Sequence, residues 1–291
     1  SVEDVMEDMA LRGDLQLTVV DGKEVLYFYG YYKTECQVVS SFIKFAEAKP
    51  KAIGSDVDAV IRKAEIATGI KLSETQRRAV KDTLKHSVSI ITGGPGTGKT
   101  TIINTLIKIM EAGGLAVAVA APTGRAAKRI AETTGKPAVT VHRLLDYYYD
   151  EEARQMVFGR YEGNQLDYDA VIIDETSMMD LKLTAALFRA LPKDCRLIFA
   201  GDKDQLPSVG AGNVLGDCID SGYIFTSELT EIFRQSEESN IITNAHRINK
   251  GQYPEFGGDF LLVEGDKQQE IVDKITKIAT EYDLNKVQVL T

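Results

Sequence analysis

Three stretches of this chain carry residue types and spacings suited to chemistry on a phosphate. The first is Gly93-Gly94-Pro95-Gly96-Thr97-Gly98-Lys99-Thr100, which satisfies the G-x-x-x-x-G-K-[ST] spacing of a phosphate-binding loop. Glycines there let backbone N–H groups turn inward around phosphate oxygens, and a following helix adds the partial positive charge of its N-terminus. Lys99 is positioned to reach the β- and γ-phosphates of a nucleotide, and Thr100 to ligate Mg²⁺, with Thr101 next on the same helical turn. The second stretch, Val171-Ile172-Ile173-Asp174-Glu175, is an apolar run that delivers two adjacent carboxylates. Asp174 suits the acid that holds Mg²⁺, and Glu175, pointing elsewhere, suits the general base that activates water. The third run, 196–200, ends in Gly201-Asp202-Lys203-Asp204-Gln205, where Gln205 is a neutral amide able to orient a water or sense a γ-phosphate.

These groups need a scaffold that brings three strand ends together. Short, nearly all-apolar runs at 87–91, 115–120, 170–173 and 196–200, separated by amphipathic helical stretches, predict a parallel α/β sheet with helices on both faces. Ligands of such sheets bind beyond the carboxyl ends of the strands, where the three stretches fall. Ahead of them, residues 3–12 read as a helix stopped by Gly13, and Asp14–Val20 with Glu24–Tyr29 as a hairpin turning at Asp21-Gly22-Lys23. Helices follow over Thr34–Ala48 and over Ser55–Thr68 with Ser55 as N-cap. Helix, hairpin and helix in this order suit a small winged-helix-like α+β unit, so domains are expected at 1–70, 71–285 and 286–291.

Composition removes other classes. The 291 residues are 44% hydrophobic, and no apolar run approaches the roughly 18 residues of a membrane span, so no membrane partner and a cytoplasmic location are expected. Three scattered cysteines and three histidines offer no zinc spacing, and Cys36, Cys195 and Cys218 read as reduced thiols. The net charge of −9 alone argues against a nucleic-acid binder. Its distribution argues otherwise: residues 71–150 hold 12 Lys/Arg against 6 Asp/Glu. The chain begins Ser1-Val2-Glu3-Asp4, without an initiator Met or a signal-like apolar segment, and is expected to be processed or part of something longer.

Further motifs occur in order: Ala121-Pro122-Thr123-Gly124-Arg125-Ala126-Ala127, Thr140-Val141-His142-Arg143-Leu144-Leu145, Asp174-Glu175-Thr176-Ser177-Met178-Met179-Asp180, Gln205-Leu206-Pro207-Ser208-Val209-Gly210 and Glu231-Ile232-Phe233-Arg234-Gln235. With the phosphate loop, this series resembles the superfamily 1 helicases, and its wording is similar to the RecD-like DNA helicases, relatives of the exodeoxyribonuclease V alpha subunit. The resemblance is strong over 71–291 and looser before that. It implies a RecA-like P-loop fold, ATP and Mg²⁺ as cofactors, and translocation on single-stranded DNA, 5′ to 3′, in DNA repair or recombination. It further implies that Gln76 reads adenine, although Ser73-x-x-Gln76 is also a capping box. Arg234 matches the arginine that approaches the γ-phosphate, with a surface ion pair to Glu231 or Glu237 as its alternative.

Strand tracking is implied for Pro122, Thr123, Gly124, Arg125, Thr140, His142, Arg143, Ser208 and Val209, through hydroxyls, N–H groups and cations that grip phosphates without reading bases. Tyr147-Tyr148-Tyr149 is expected to pack a helix against the sheet, with base stacking as the alternative. A complete motor of this kind has two RecA-like domains. Residues 286–291 resemble the first strand of the second, whose late motifs are not in this sequence, so the parent is expected to hold that missing second motor domain and to pair with nuclease-complex subunits or act alone. A chain with only the first half is expected to bind nucleotide weakly and not to unwind duplexes. Rival readings are the helicase domain of a conjugative relaxase, a non-catalytic nucleotide- and DNA-binding module, and a small-molecule P-loop kinase.

Overall fold

Six parallel strands form the centre of the computed structural model, which describes residues 2–20, 22–53, 56–231, 239–265, 267–281 and 287–288. The chain runs through α1 (Val2–Leu11), β1 (Leu15–Val20), β2 (Lys23–Phe28), α2 (Tyr29–Glu47), α3 (Val57–Thr68) and α4 (Glu74–Thr83) before the sheet begins. It continues through β3 (Val88–Gly93), α5 (Lys99–Ala112), β4 (Val117–Ala121), α6 (Gly124–Thr134), β5 (Val139–Thr140) and α7 (Val141–Leu144). A hairpin follows, β6 (Tyr147–Asp150) and β7 (Gln155–Phe158), then β8 (Ala170–Ile173), α8 (Leu181–Ala190), β9 (Arg196–Gly201), α9 (Val214–Asp220) and β10 (Phe225–Leu229).

The order across the sheet is β10-β3-β9-β8-β4-β5. This is the α/β class expected from the apolar runs, and burial on both faces is why those runs are continuous. Neighbouring residues of one strand point to opposite sides: Ile90, Ile173 and Phe199 enter one apolar cluster, while Ile91, Ile172 and Ile198 enter the other. The first cluster packs beneath α2, α7, α8 and α9, and the second beneath α3, α4 and α5. The segment before residue 70 shares these cores. Phe42 of α2 sets its ring edge-on to Phe188 at 4.6 Å and tilted to Phe199 at 5.8 Å.

Helix, hairpin and helix occur in the expected order, with β1 and β2 in register from Leu15↔Phe28 to Val20↔Lys23. Ser55, expected to cap α3, lies outside the described residues, and Asp56 is the cap: its carboxylate accepts from the N–H groups of Asp58 at 3.0 Å and Ala59 at 3.2 Å. The tyrosine run departs from its expected place. Tyr147, Tyr148 and Tyr149 are 39–56% exposed on β6, paired with Phe158, Val157 and Met156 of β7, and not beneath a helix. The turn is set by Asp150, whose carboxylate accepts from the N–H groups of Glu152 and Ala153 at 2.9 and 3.0 Å.

The chain divides into two compact units, 1–232 and 233–291. Within the second, α10 (Asn240–Asn249) is tied to the loop after it by Asn244, which is fully buried and exchanges two hydrogen bonds with the Glu255 backbone at 2.6 and 2.7 Å. The helix α11 (Gln268–Thr280) keeps Ile271, Val272, Ile275 and Ile278 partly exposed. Of the strand expected over 286–291, only 287–288 lie within the described residues. No described helix is long and apolar enough to cross a membrane.

Candidate active site

The phosphate-loop residues sit where β3 ends and α5 begins. Gly93 has to be glycine, because a Cβ there would lie 2.6 Å from the Leu229 carbonyl oxygen of neighbouring β10 and 2.8 Å from Thr97 Oγ1. Gly96 and Gly98 adopt φ of +78° and +83°, the left-handed region that lets the chain curl before the helix. Thr97 is buried and donates to the Gly94 carbonyl at 2.8 Å, which braces the loop from inside. Pro95 and Gly96 are exposed at its tip, and Thr100 and Thr101 are partly buried in the first turn of α5. Lys99 Nζ turns into the loop and donates to the carbonyls of Gly93 and, at 3.2 Å, Gly94.

The order of the sheet decides which acids meet this lysine. β9 lies between β3 and β8, so its end falls between the phosphate loop and Asp174-Glu175. Burial holds the Lys99 ammonium below its ordinary pKa, against the opposing attraction of Asp202, Glu175 and Asp174 in that order. Asp174 is displaced the other way. Burial first, then repulsion from Glu175, raises its carboxyl pKa, against the Glu175 backbone hydrogen bond and Lys99. Its own N–H continues the ladder past β8, donating to the Ala120 carbonyl at 2.9 Å.

Glu175 occupies the left-handed region at φ +53°, one of three described non-glycine residues with positive φ. Such backbone strain gathers at functional sites. It is held by the turn that follows, where the Thr176 hydroxyl is buried and shared between the carbonyls of Ile173 (3.0 Å) and Ala200 (2.9 Å), tying β8 to β9. Ser177 beside it leaves a buried hydroxyl with no hydrogen-bond partner among the described residues.

The buried carboxylate of Asp202 is the functional candidate that residue types alone did not single out. Its signal was its place directly after a buried strand; its proximity to Lys99 required the strand order. Asp202 also organises the next loop, accepting from the Asp204 N–H at 3.1 Å through its side chain and from the Gln205 N–H at 3.2 Å through its backbone. Gln205 itself is exposed. Further along, Ser208 donates to the carbonyls of Gly210 at 2.8 Å and Gly212 at 3.0 Å, while Val209 is fully exposed.

Gln76 is buried, and the capping box is formed: its Oε1 accepts from the Ser73 N–H at 3.1 Å, and its N–H donates to Ser73 Oγ at 3.3 Å. The adjacent Thr75 hydroxyl donates to Glu231 at 2.6 Å. Arg234 lies outside the described residues.

The strand-tracking candidates gather along the neighbouring edge. Thr123 caps α6, accepting from the Ala126 N–H at 3.2 Å, and Thr140 caps α7, accepting from the Arg143 N–H at 3.1 Å. The two caps are brought together by the parallel pairing of β4 and β5, in which Ala121 faces Thr140. Pro122 is half-buried, and Gly124, Arg125, His142 and Arg143 are exposed. The His142 ring also meets Tyr147 at 5.1 Å, which joins the hairpin base to this edge.

The residues fit a divalent cation. The buried Asp174 carboxylate, with Glu175 repelling it from beside, and the Thr100 hydroxyl in the first turn of α5 are hard-oxygen donors that phosphate oxygens would complete. Among the described residues no group of three or more His, Cys, Asp or Glu stands ready to hold a metal by itself.

The AAA domain family matches residues 76–211. The chain is 38% identical over 221 residues to the ATP-dependent RecD2 DNA helicase of Deinococcus radiodurans, covering 75% of this chain and 29% of that protein. It is 34% identical over 248 residues to the RecBCD enzyme subunit RecD of Mycolicibacterium smegmatis, covering 77% and 43%. The chain thus spans less than half the length of each of these two relatives. A solved Pif1 helicase from Candida albicans aligns over 74% of this chain and 56% of its own, with 23% identity and a TM-score of 0.48. With the loop, the paired acids and the ordered motifs on one sheet, about three quarters of the chain is homologous to RecD-type DNA helicases.

Proposed function

We propose that the sheet edge formed by residues 93–100, 174–175 and 202–205 binds ATP with Mg²⁺ and hydrolyses it, as the first motor domain of a helicase that translocates 5′ to 3′ on single-stranded DNA. The observation that carries this reading is the convergence of Lys99, Asp174, Glu175 and Asp202, from the ends of three adjacent strands, into one electrostatically coupled group. In this reading residues 1–70 are an accessory unit and 71–285 the motor domain. The relatives' names include a RecBCD subunit, and nuclease-complex subunits are candidate partners of the intact protein.

The loop N–H groups of 94 and 96–99 and the Lys99 ammonium grip the β- and γ-phosphates, whose oxygens take over from the Gly93 and Gly94 carbonyls. Thr100 and Asp174 would hold Mg²⁺, which offsets phosphate charge when bound. Glu175 accepts a proton from water as the water oxygen bonds to the γ-phosphorus and the bridging oxygen leaves with ADP. Gln205 orients that water, and Arg234 supplies an arginine in cis. The Gln76 amide, with Oε1 already accepting from Ser73, offers its N–H₂ to adenine. On the strand side, Thr123 and Thr140 accept cap bonds and still have their hydroxyl protons to donate to phosphates, beside Pro122, Gly124, Arg125, His142, Arg143, Ser208 and Val209.

Lys99→Ala in the intact protein tests the site. Its removal should lower ATP turnover by at least about 100-fold and weaken binding of a fluorescent ATP analogue, with an unchanged circular dichroism spectrum. Turnover at the wild-type rate would remove Lys99 from the phosphate site.

A further inference from the structure

Arg129 lies on α6, the helix whose cap Thr123 follows β4, and Glu175 follows β8, the neighbour of β4 in the sheet. One guanidinium nitrogen stands 3.8 Å from Glu175 Oε1, within ion-pair reach and too long for a direct hydrogen bond. The partners are unequal in exposure: the Arg129 side chain is 78% exposed and that of Glu175 23%. The contact therefore joins a solvated cation on the strand-tracking helix to the shielded carboxylate of the hydrolytic site. Arg129 also acts electrostatically on Lys99 and Asp174.

We propose that Arg129 is a positioning residue that makes hydrolysis depend on DNA: paired with Glu175 it holds the carboxylate away from the attacking water, and a strand phosphate that takes over the guanidinium releases it. The proposal rests on the assignment of Glu175 as the base and of the α6 edge as the strand-facing side. An exposed ion pair at this distance is weak and screened by salt, so it exchanges readily. A phosphate offers the guanidinium a bidentate match that the single long carboxylate contact does not. Arg125 lies one turn earlier on the same helical face, so a phosphate approaching Arg129 meets a second cation. The Glu175 backbone stays fixed by the Thr176 bridge between β8 and β9, which confines the change to the side chain.

The test measures ATP turnover by the intact protein with and without saturating oligodeoxythymidylate. Arg129→Ala should raise DNA-free turnover by up to about fivefold, the factor that an exposed ion pair can hold back. The ratio of DNA-saturated to DNA-free turnover should fall by a similar factor. Arg129→Lys, which keeps a cation, should recover part of the ratio. Lys128→Ala removes the adjacent cation, paired with Glu132 rather than Glu175, and should leave the ratio at saturating strand unchanged. Loss of turnover in Glu175→Gln together with a wild-type ratio in Arg129→Ala would overturn the coupling alone. Turnover that survives in Glu175→Gln would overturn the base assignment, and the coupling with it.

Discussion

The pKa of Lys99 is lowered and that of Asp174 raised by one cause, burial, and both displacements oppose folding at neutral pH. A carboxyl whose folded pKa is raised contributes stability that is fully present below its ordinary value and is lost as pH rises through the raised one. Asp174→Asn should therefore raise the urea midpoint at pH 7 with an unchanged m-value, while ATP turnover falls by at least about 100-fold. A lowered midpoint would show that the carboxylate stabilises the fold. The places of Lys99, Thr100, Asp174 and Glu175 at strand ends and at a helix start were legible in the sequence, because local spacing alone fixes both. Gln76 and its capping box were equally local. Asp202 was not, since only the insertion of β9 between β3 and β8 brings it toward Lys99, and strand pairing is a long-range property.

Among the elements, the four strands buried on both faces announced themselves as apolar runs, whereas β5 and β10 did not. β5 is two residues long, and β10 reads Phe-Thr-Ser-Glu-Leu because it lies at the sheet edge, half-exposed. The hairpin β6–β7 was hidden for a related reason: an aromatic run reads as core, yet here it faces solvent. Exposed Tyr148 and Tyr149, beside the His142 edge, offer π-faces to unpaired bases, and stacking contributes about 1–3 kcal/mol per base. Replacing both with Ala should weaken oligodeoxythymidylate binding by at least about fivefold in a fluorescence-anisotropy titration. Unchanged affinity would assign the hairpin to another partner. Helix α2 was legible as an amphipathic helix but not as part of the sheet's core. Phe42→Ala, which removes a ring between Phe188 and Phe199, should cost about 3–5 kcal/mol in urea unfolding. A loss under 1 kcal/mol would mean that α2 is only loosely attached.

For the molecule as a whole, the net charge of −9 hides a basic segment, 71–150, that folds into the phosphate loop and both threonine-capped strand edges. Acidic residues elsewhere supply the Asp174, Glu175 and Asp202 cluster; in the proposed function the basic segment serves both the nucleotide phosphates and the strand, and the acids serve the cation and the water. Binding to single strands should accordingly weaken with salt, with log K falling linearly against log[salt] by about 0.7 per phosphate contacted. A flat salt dependence would exclude phosphate contacts as the source of affinity. In the proposed function one sheet edge hydrolyses ATP and answers to DNA at the edge beside it. Steady-state ATP turnover by the intact protein, measured with Mg²⁺ and with or without oligodeoxythymidylate, tests it most directly. Turnover should rise with added strand and fall by at least about 100-fold in Glu175→Gln. Turnover indifferent to DNA, or preserved in Glu175→Gln, would contradict it.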